Sequence, residues 1–347
     1  NLKRFDELDV NKLRDIYGKI RKNVIEPITI RRTRTDLENI PDYKADIAAQ
    51  GIVFPKVDPP KKVEYILDEK LNELFYKTVF YLTDSDKLKY SRYQAIAGLK
   101  PEIQDKYYEN AETVSKSLAF IMKTQLVKRL ESSFYAFKMS LVAFKKATDR
   151  MIDMFDNDKV FIAPDTDVNK LLDKGWNEDD IEKEIERLAE ENPKNQTFKA
   201  SDFKEGFLEE LKKDADLLKE LVTSWNKVDH DPKLEVFIDK LTKQFLNKKT
   251  NLEGKLVIFS ESKDTVDYLA KALENEGRKD VLVISAKNRK AKYETIVENF
   301  DANFPSEDEK NKGKEQKNDF HIIITTEVLA EGVNLHRSNV VIHYNIT

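Results

Sequence analysis

Three stretches place small hydroxyls, amides or charges directly after runs of β-branched residues. Ser260, Glu261 and Ser262 follow LVIF, Ala286, Lys287 and Asn288 follow VLVIS, and Thr325, Thr326 and Glu327 follow HIII. Hydroxyls and helix starts supply hydrogen-bond donors without bulk, which suits phosphate oxygens. Ser260 and Ser262 also suit a plainer task, since serine oxygens readily cap the first turn of a helix. Arg31 and Arg32 sit side by side in a β-rich run. They could bind phosphate or bridge lobes, or form a solvated charged face of little energetic value. A further basic side comprises Lys116, Lys123, Lys128, Arg129, Lys138, Lys145 and Lys146. It is either a solvated helix face or a surface that tracks duplex phosphates nonspecifically.

Other chemistries are missing from the sequence. A phosphate loop needs glycines followed by Lys and then Ser or Thr. The three Gly-Lys pairs here read GKI, GKL and GKE. No HExxH, no nucleophile elbow and no acidic pair at a strand end occurs. Cysteine is absent, which removes disulfides, thiolate metal sites and cysteine nucleophiles, and fits a reducing interior. Four histidines, none in a close pair, argue against structural zinc.

The elements that must position the three stretches begin at Gly254. KLVIF, DVLVI, FHIIIT and NVVIHY are continuous apolar runs, as expected of parallel strands buried on both faces. A helix between the first two runs starts at Ser262 and stops at Gly277. A second carries Tyr293, Ile296, Val297 and Phe300 on one face. The β-α-β-α-β-β order gives an open α/β layer whose ligands gather beyond the carboxyl ends of the strands. Upstream, Val10, Leu13, Tyr17, Ile20 and Val24 mark a helix capped by Asp9, and the stretch from Pro41 to Pro60 reads as turn-rich and extended. Residues 113–155 read as one long amphipathic helix, with Leu118, Ile121, Met122, Leu126, Leu130, Phe134, Phe137, Leu141 and Phe144 along its apolar stripe. Asn177 is a candidate cap for an acidic helix. Asp231 followed by Pro232 is a cap followed by proline at the first helical position. Residues 303–319 hold almost no apolar content and read as a solvated loop.

The chain has 347 residues, of which 40 % are hydrophobic and 36 % charged, with a net charge of −4. That permits two or three cored domains and excludes both wholesale disorder and a uniformly basic binder. Charge is uneven: residues 113–150 carry net +6 and residues 151–200 net −7. No apolar run approaches the roughly 18–20 residues that span a bilayer. The expectation is a soluble, cytoplasmic protein without membrane partners. The absence of an initiator Met and the abrupt last strand suggest a piece of a longer chain.

The run TTEVLAEGVNLHRSNVVIHYN resembles motif V of the superfamily 2 helicases and translocases, in particular their Swi/Snf-like branch. KLVIFSES resembles motif IV, and DPKLEVFIDKLTKQF is similar to the helix that opens the second motor lobe. ITIRRTRTDLENIP resembles the segment that closes the first lobe, and QLVKRLESSFYAF a helical segment of bacterial Swi/Snf-like proteins. The resemblance implies three regions: residues 1–60 as the end of the first lobe and a crossover, 61–230 as an α-helical insertion, and 231–347 as a RecA-like α/β second lobe.

It further implies that Thr325, Thr326, Ser260 and Lys287 contact nucleic-acid phosphates, with Arg31 and Arg32 as candidates for the same role. Gly332 and Asn334 would face the nucleotide; the alternatives are a tight turn at Gly332 and a plain lead into the last strand for Asn334 and Leu335. The cofactors would be ATP and its Mg2+, and the partners double-stranded DNA and a first lobe of the same polypeptide. The helical insertion could add protein partners. With no phosphate loop, acidic magnesium motif or arginine-rich motif VI, the chain alone is expected not to hydrolyse ATP. An RNA helicase and a non-catalytic interaction module that keeps the lobe are the alternatives.

Overall fold

The computed structural model describes residues 10–29, 33–52, 54, 56–107, 110–162, 196–304 and 315–345. The chain divides into two units, Asn1–Val63 and Glu64–Thr347. Arg31, Arg32, the Asp9 cap and the Asn177 helix lie outside the described residues.

The first unit holds α1 (Val10–Ile20), a π-type turn over Arg21–Ile25, α2 (Arg34–Asn39) and α3 (Pro41–Ala49). Thr33 starts α2 through a reciprocal capping box with Asp36. The extended reading of the segment after Pro41 is corrected by α3. Proline at its first position, Asp42 in its first turn and a run of good helix formers favour the helix locally. No described side chain of this unit is buried, so tertiary packing gave the sequence no apolar pattern to betray it.

In the second unit, α4 (Glu69–Thr83), α5 (Ala95–Gly98) and α6 (Pro101–Tyr107) precede α7 (Ala111–Ser132) and α8 (Phe134–Asp156). The single long helix expected over 113–155 is thus two helices. Ser133 is extended, with φ −159° and ψ 150°, and its hydroxyl accepts from Ala136 N at 3.1 Å to start α8. Its apolar stripe runs on across the break, because Leu126, Leu130, Phe134, Phe137, Leu141 and Phe144 share one core. Strands β1 (Val160–Ile162) and β2 (Gln196–Phe198) pair antiparallel, and α9 (Phe207–Trp225) closes the helical core. Trp225 is fully buried against Phe134 and Phe137, with ring centroids at 5.0 and 5.2 Å, and its Nε1 donates to Thr78 Oγ1 at 2.9 Å.

The remaining elements are α10 (Pro232–Lys240), β3 (Leu256–Phe259), α11 (Lys263–Asn275), β4 (Val281–Ile284), α12 (Arg289–Phe300), β5 (Ile322–Thr325) and β6 (Val340–His343). The four strands form a wholly parallel sheet in the order β4-β5-β3-β6. Helices α10 and α11 pack on one face around Leu256, Ile258, Ile322 and Ile324, and α12 packs on the other around Val257, Leu282, Ile284 and Ile323. This is the layered parallel architecture expected of a RecA-like lobe. Burial on both faces holds for β3 and β5 but not for edge strand β6, whose Val341 is 52 % exposed. Of the loop expected to be solvated, residues 303, 304 and 315–319 are described, and they pack back on the lobe: Phe304 is buried, Asn299 Oδ1 accepts from Asp319 N at 2.8 Å, and Gln316 Nε2 donates to Glu298 O at 2.6 Å.

Candidate nucleic-acid interface

Strand register levels the carboxyl edge of the sheet. Phe259 lies opposite both Thr325 and His343, and Ile284 lies opposite Thr325. Residues 260, 285, 326 and 344 therefore leave the sheet along one rim, and this rim carries the three stretches of polar residues.

At the end of β5, Thr325 is completely buried and its hydroxyl donates to Thr326 O at 2.9 Å. Thr326 is half-buried and opens the short 3-10 turn Glu327–Leu329. At the end of β4, Asn288 builds the loop. Its Oδ1 accepts from Ser285 N at 2.8 Å and its Nδ2 donates to Val283 O at 3.1 Å. Lys287 and Lys290 stand exposed on either side of Asn288 and Arg289. Arg289 Nη2 donates to Glu331 O at 2.7 Å, which brings the start of α12 against the loop after β5. Gly332 in that loop has φ +73°, and a Cβ there would meet Arg289 Nη2 at 3.1 Å. The backbone conformation favours glycine there, and a side chain would also push on the Arg289 guanidinium. Gly332 and Asn334 are exposed, whereas Leu335 packs against the core beneath α12. The structure therefore gathers Lys287, Thr326, Gly332 and Asn334 at one edge. Arg289 was not singled out from sequence. Its only signal was its place within the basic run KNRKAK.

The end of β3 is different. Ser260 is buried and its hydroxyl donates to Asn345 Oδ1 at 2.9 Å. Ser262 caps α11, accepting from Thr265 N at 3.3 Å, and also accepts from Arg129 Nη1. Around this end lies the α7–α8 turn, with Ser132 and Ser133 within 2.7 and 2.9 Å of Thr265 Oγ1. Much of the basic side of 113–150 is likewise engaged internally. Arg129 pairs with Asp264 at 3.6 Å, Lys128 with Glu261 at 3.4 Å, Lys123 Nζ donates to Thr83 O at 2.5 Å and Lys138 Nζ to Val228 O at 2.6 Å.

Buried charges surround α10. Asp231 caps it, accepting from Lys233 N and Leu234 N, both at 3.1 Å, and burial raises its carboxyl pKa. Burial pushes the Lys233 amine down to about 8, although its Nζ donates to Glu131 O at 2.7 Å and Ser132 O at 2.9 Å. Among the described residues no cluster of His, Asp or Glu could hold a metal ion, and no helix is long and apolar enough to cross a membrane.

Residues 233–347 match the family described as the helicase conserved C-terminal domain. The match spans α10 and the whole parallel sheet, and it supports a helicase-type protein. A comparison with curated proteins finds no match for the chain.

Proposed function

We propose that this chain carries the second lobe of a Swi/Snf-like, ATP-dependent motor that translocates along double-stranded DNA. The observation that carries this reading is the convergence of Lys287, Thr326 and the 331–334 loop on one strand-end rim, within the segment that matches the helicase domain. Exposed Lys287 neutralises a backbone phosphate, and Thr326 donates to one. Both contacts are blind to base sequence, as a tracking motor requires. Buried Thr325 acts through Thr326 by holding its carbonyl.

The residues present fit only part of a nucleotide site. Gly332 offers exposed backbone that a ribose can approach, and Asn334 offers an exposed amide beside it. The sequence contains no loop that could cradle the phosphates, and no described acidic cluster could hold Mg2+. Those parts fall to a first lobe that bears the phosphate loop. Bound ATP with its magnesium would supply the free energy of phosphoryl transfer. This chain orients the sugar side of the nucleotide and grips the DNA backbone.

The test is ATP hydrolysis by a protein bearing both lobes. Duplex DNA should stimulate it more than RNA, and the pair Thr325→Ala, Thr326→Ala should lower the stimulated rate by about tenfold, the scale of one or two lost phosphate contacts. Unchanged stimulation in that variant, or stimulation by RNA alone, contradicts the proposal. This chain without the first lobe should release no phosphate from ATP.

A further inference from the structure

The hydroxyl cluster at the end of β3 is filled by the chain itself. Ser132 Oγ donates to Asn345 Oδ1 at 3.2 Å, the same oxygen that accepts from Ser260 at 2.9 Å. One proton order satisfies the hydroxyls of Ser132, Ser133, Ser260 and Thr265. Ser133 donates to Thr265, Thr265 to Ser132, and Ser132 and Ser260 both donate to Asn345. Ser260, Ser262, Thr265, Ser132 and Ser133 are all buried.

The main chain of the turn is held too, since Lys233 Nζ bonds the carbonyls of Glu131 and Ser132 at the end of α7. A cation at that end also faces the negative pole of the helix. Beside the turn, Tyr135 stacks on Tyr268 of α11, with centroids 5.0 Å apart and rings within 3° of parallel. A phosphate arriving at Ser260 or Ser262 would have to displace Ser132 or Arg129. It would strand buried polar groups without partners, which is strongly unfavourable.

We propose that Arg129, Ser132 and Ser133 are positioning residues of the strand-end rim. On this reading the α7–α8 turn is a permanent part of the rim, joining the ends of β3 and β6 through Ser260, Thr265 and Asn345. Ser260 is then an internal anchor, and phosphate contacts fall to Thr326 and the exposed lysines Lys287 and Lys290. The helical region and the parallel sheet share one joint, and the rim takes its shape from both. The nucleic-acid part of this inference rests on the function proposed above; the joint itself does not.

Because the chain has no cysteine, the pair Ser132→Cys, Thr265→Cys introduces its only two thiols. Mild oxidation should link them nearly completely. The linked and reduced forms should bind a short duplex DNA with affinities within about twofold of each other, because the phosphate contacts lie elsewhere. Failure to link, or a link that weakens duplex binding by about tenfold and is reversed by reduction, overturns the proposal, since either result means that the turn leaves its seat.

Hydrogen exchange gives a second readout that needs no ligand. Arg129→Ala should speed exchange at the amides of Thr265, Val266 and Tyr344 together, by roughly tenfold, and Arg129→Lys should restore part of the protection. Faster exchange confined to the last turn of α7 overturns the joint. If neither form binds DNA while the link and the exchange coupling hold, the motor reading fails and the joint stands.

Discussion

Gly332 and its neighbour Arg289 show how one residue can set the rim. With φ +73° and Arg289 Nη2 3.1 Å from where a Cβ would stand, Gly332→Ala should cost about 1–2 kcal/mol of stability, the usual penalty for a side chain in the left-handed region. Urea denaturation measures it, and an unchanged midpoint would show that the loop relaxes freely. Local chemistry of this kind was readable in the sequence. Ser262 and Asp231 cap helices as their types suggest, and Gly277 stops α11 with φ +79°. The burial of Ser260 and Thr325 was not readable. Hydroxyls after a strand look alike whether they face solvent, the next carbonyl as at Thr325, or Asn345 as at Ser260, where the α7–α8 turn is seated.

Among elements, the parallel strands announced themselves by unbroken β-branched runs, whereas the break at Ser133 did not. The apolar stripe carries on through it, so periodicity alone cannot see that Ser133 leaves the helix to cap the next one. The element that opens β3 offers a pH test. Lys255 is fully buried, with Nζ donating to Phe320 O at 2.6 Å and lying 4.7 Å from the centre of the Phe300 ring. Burial, aided by Arg337, pushes its pKa down from 10.5 to about 8.

Folding therefore favours the neutral amine. Below pH 8 both folded and unfolded chains hold the proton, and the full cost of the buried charge is present. Between about 8 and 10.5 the folded chain sheds its proton first, so this residue's contribution to stability rises with pH. Denaturation midpoints of the wild type and Lys255→Met should converge as pH climbs through that window. A constant or widening gap would show that the amine stays charged.

The unit Glu64–Thr347 contains two helical cores and the two faces of a sheet. If the α7–α8 turn joins them, they should unfold in one transition. Trp225→Ala, at the centre of the helical core, should lower the stability of the whole unit by about 3–5 kcal/mol. Separate melting of helical and sheet signals, with only the former moved by the substitution, would show that the regions are independent.

At this scale the sequence revealed the α/β lobe clearly because its signals are local and repeated. It revealed little of the helical region's seating, which depends on contacts such as Ser132 with Asn345 across more than two hundred positions.

The claim that the strand-end rim grips nucleic acid is tested most directly by the affinity of this chain for duplex DNA across a salt series. The double charge reversal Lys287→Glu, Lys290→Glu should weaken binding by at least about tenfold and flatten the salt dependence by roughly two counterions. Binding that is equally tight and equally salt-dependent in the variant would place the DNA elsewhere and contradict the account.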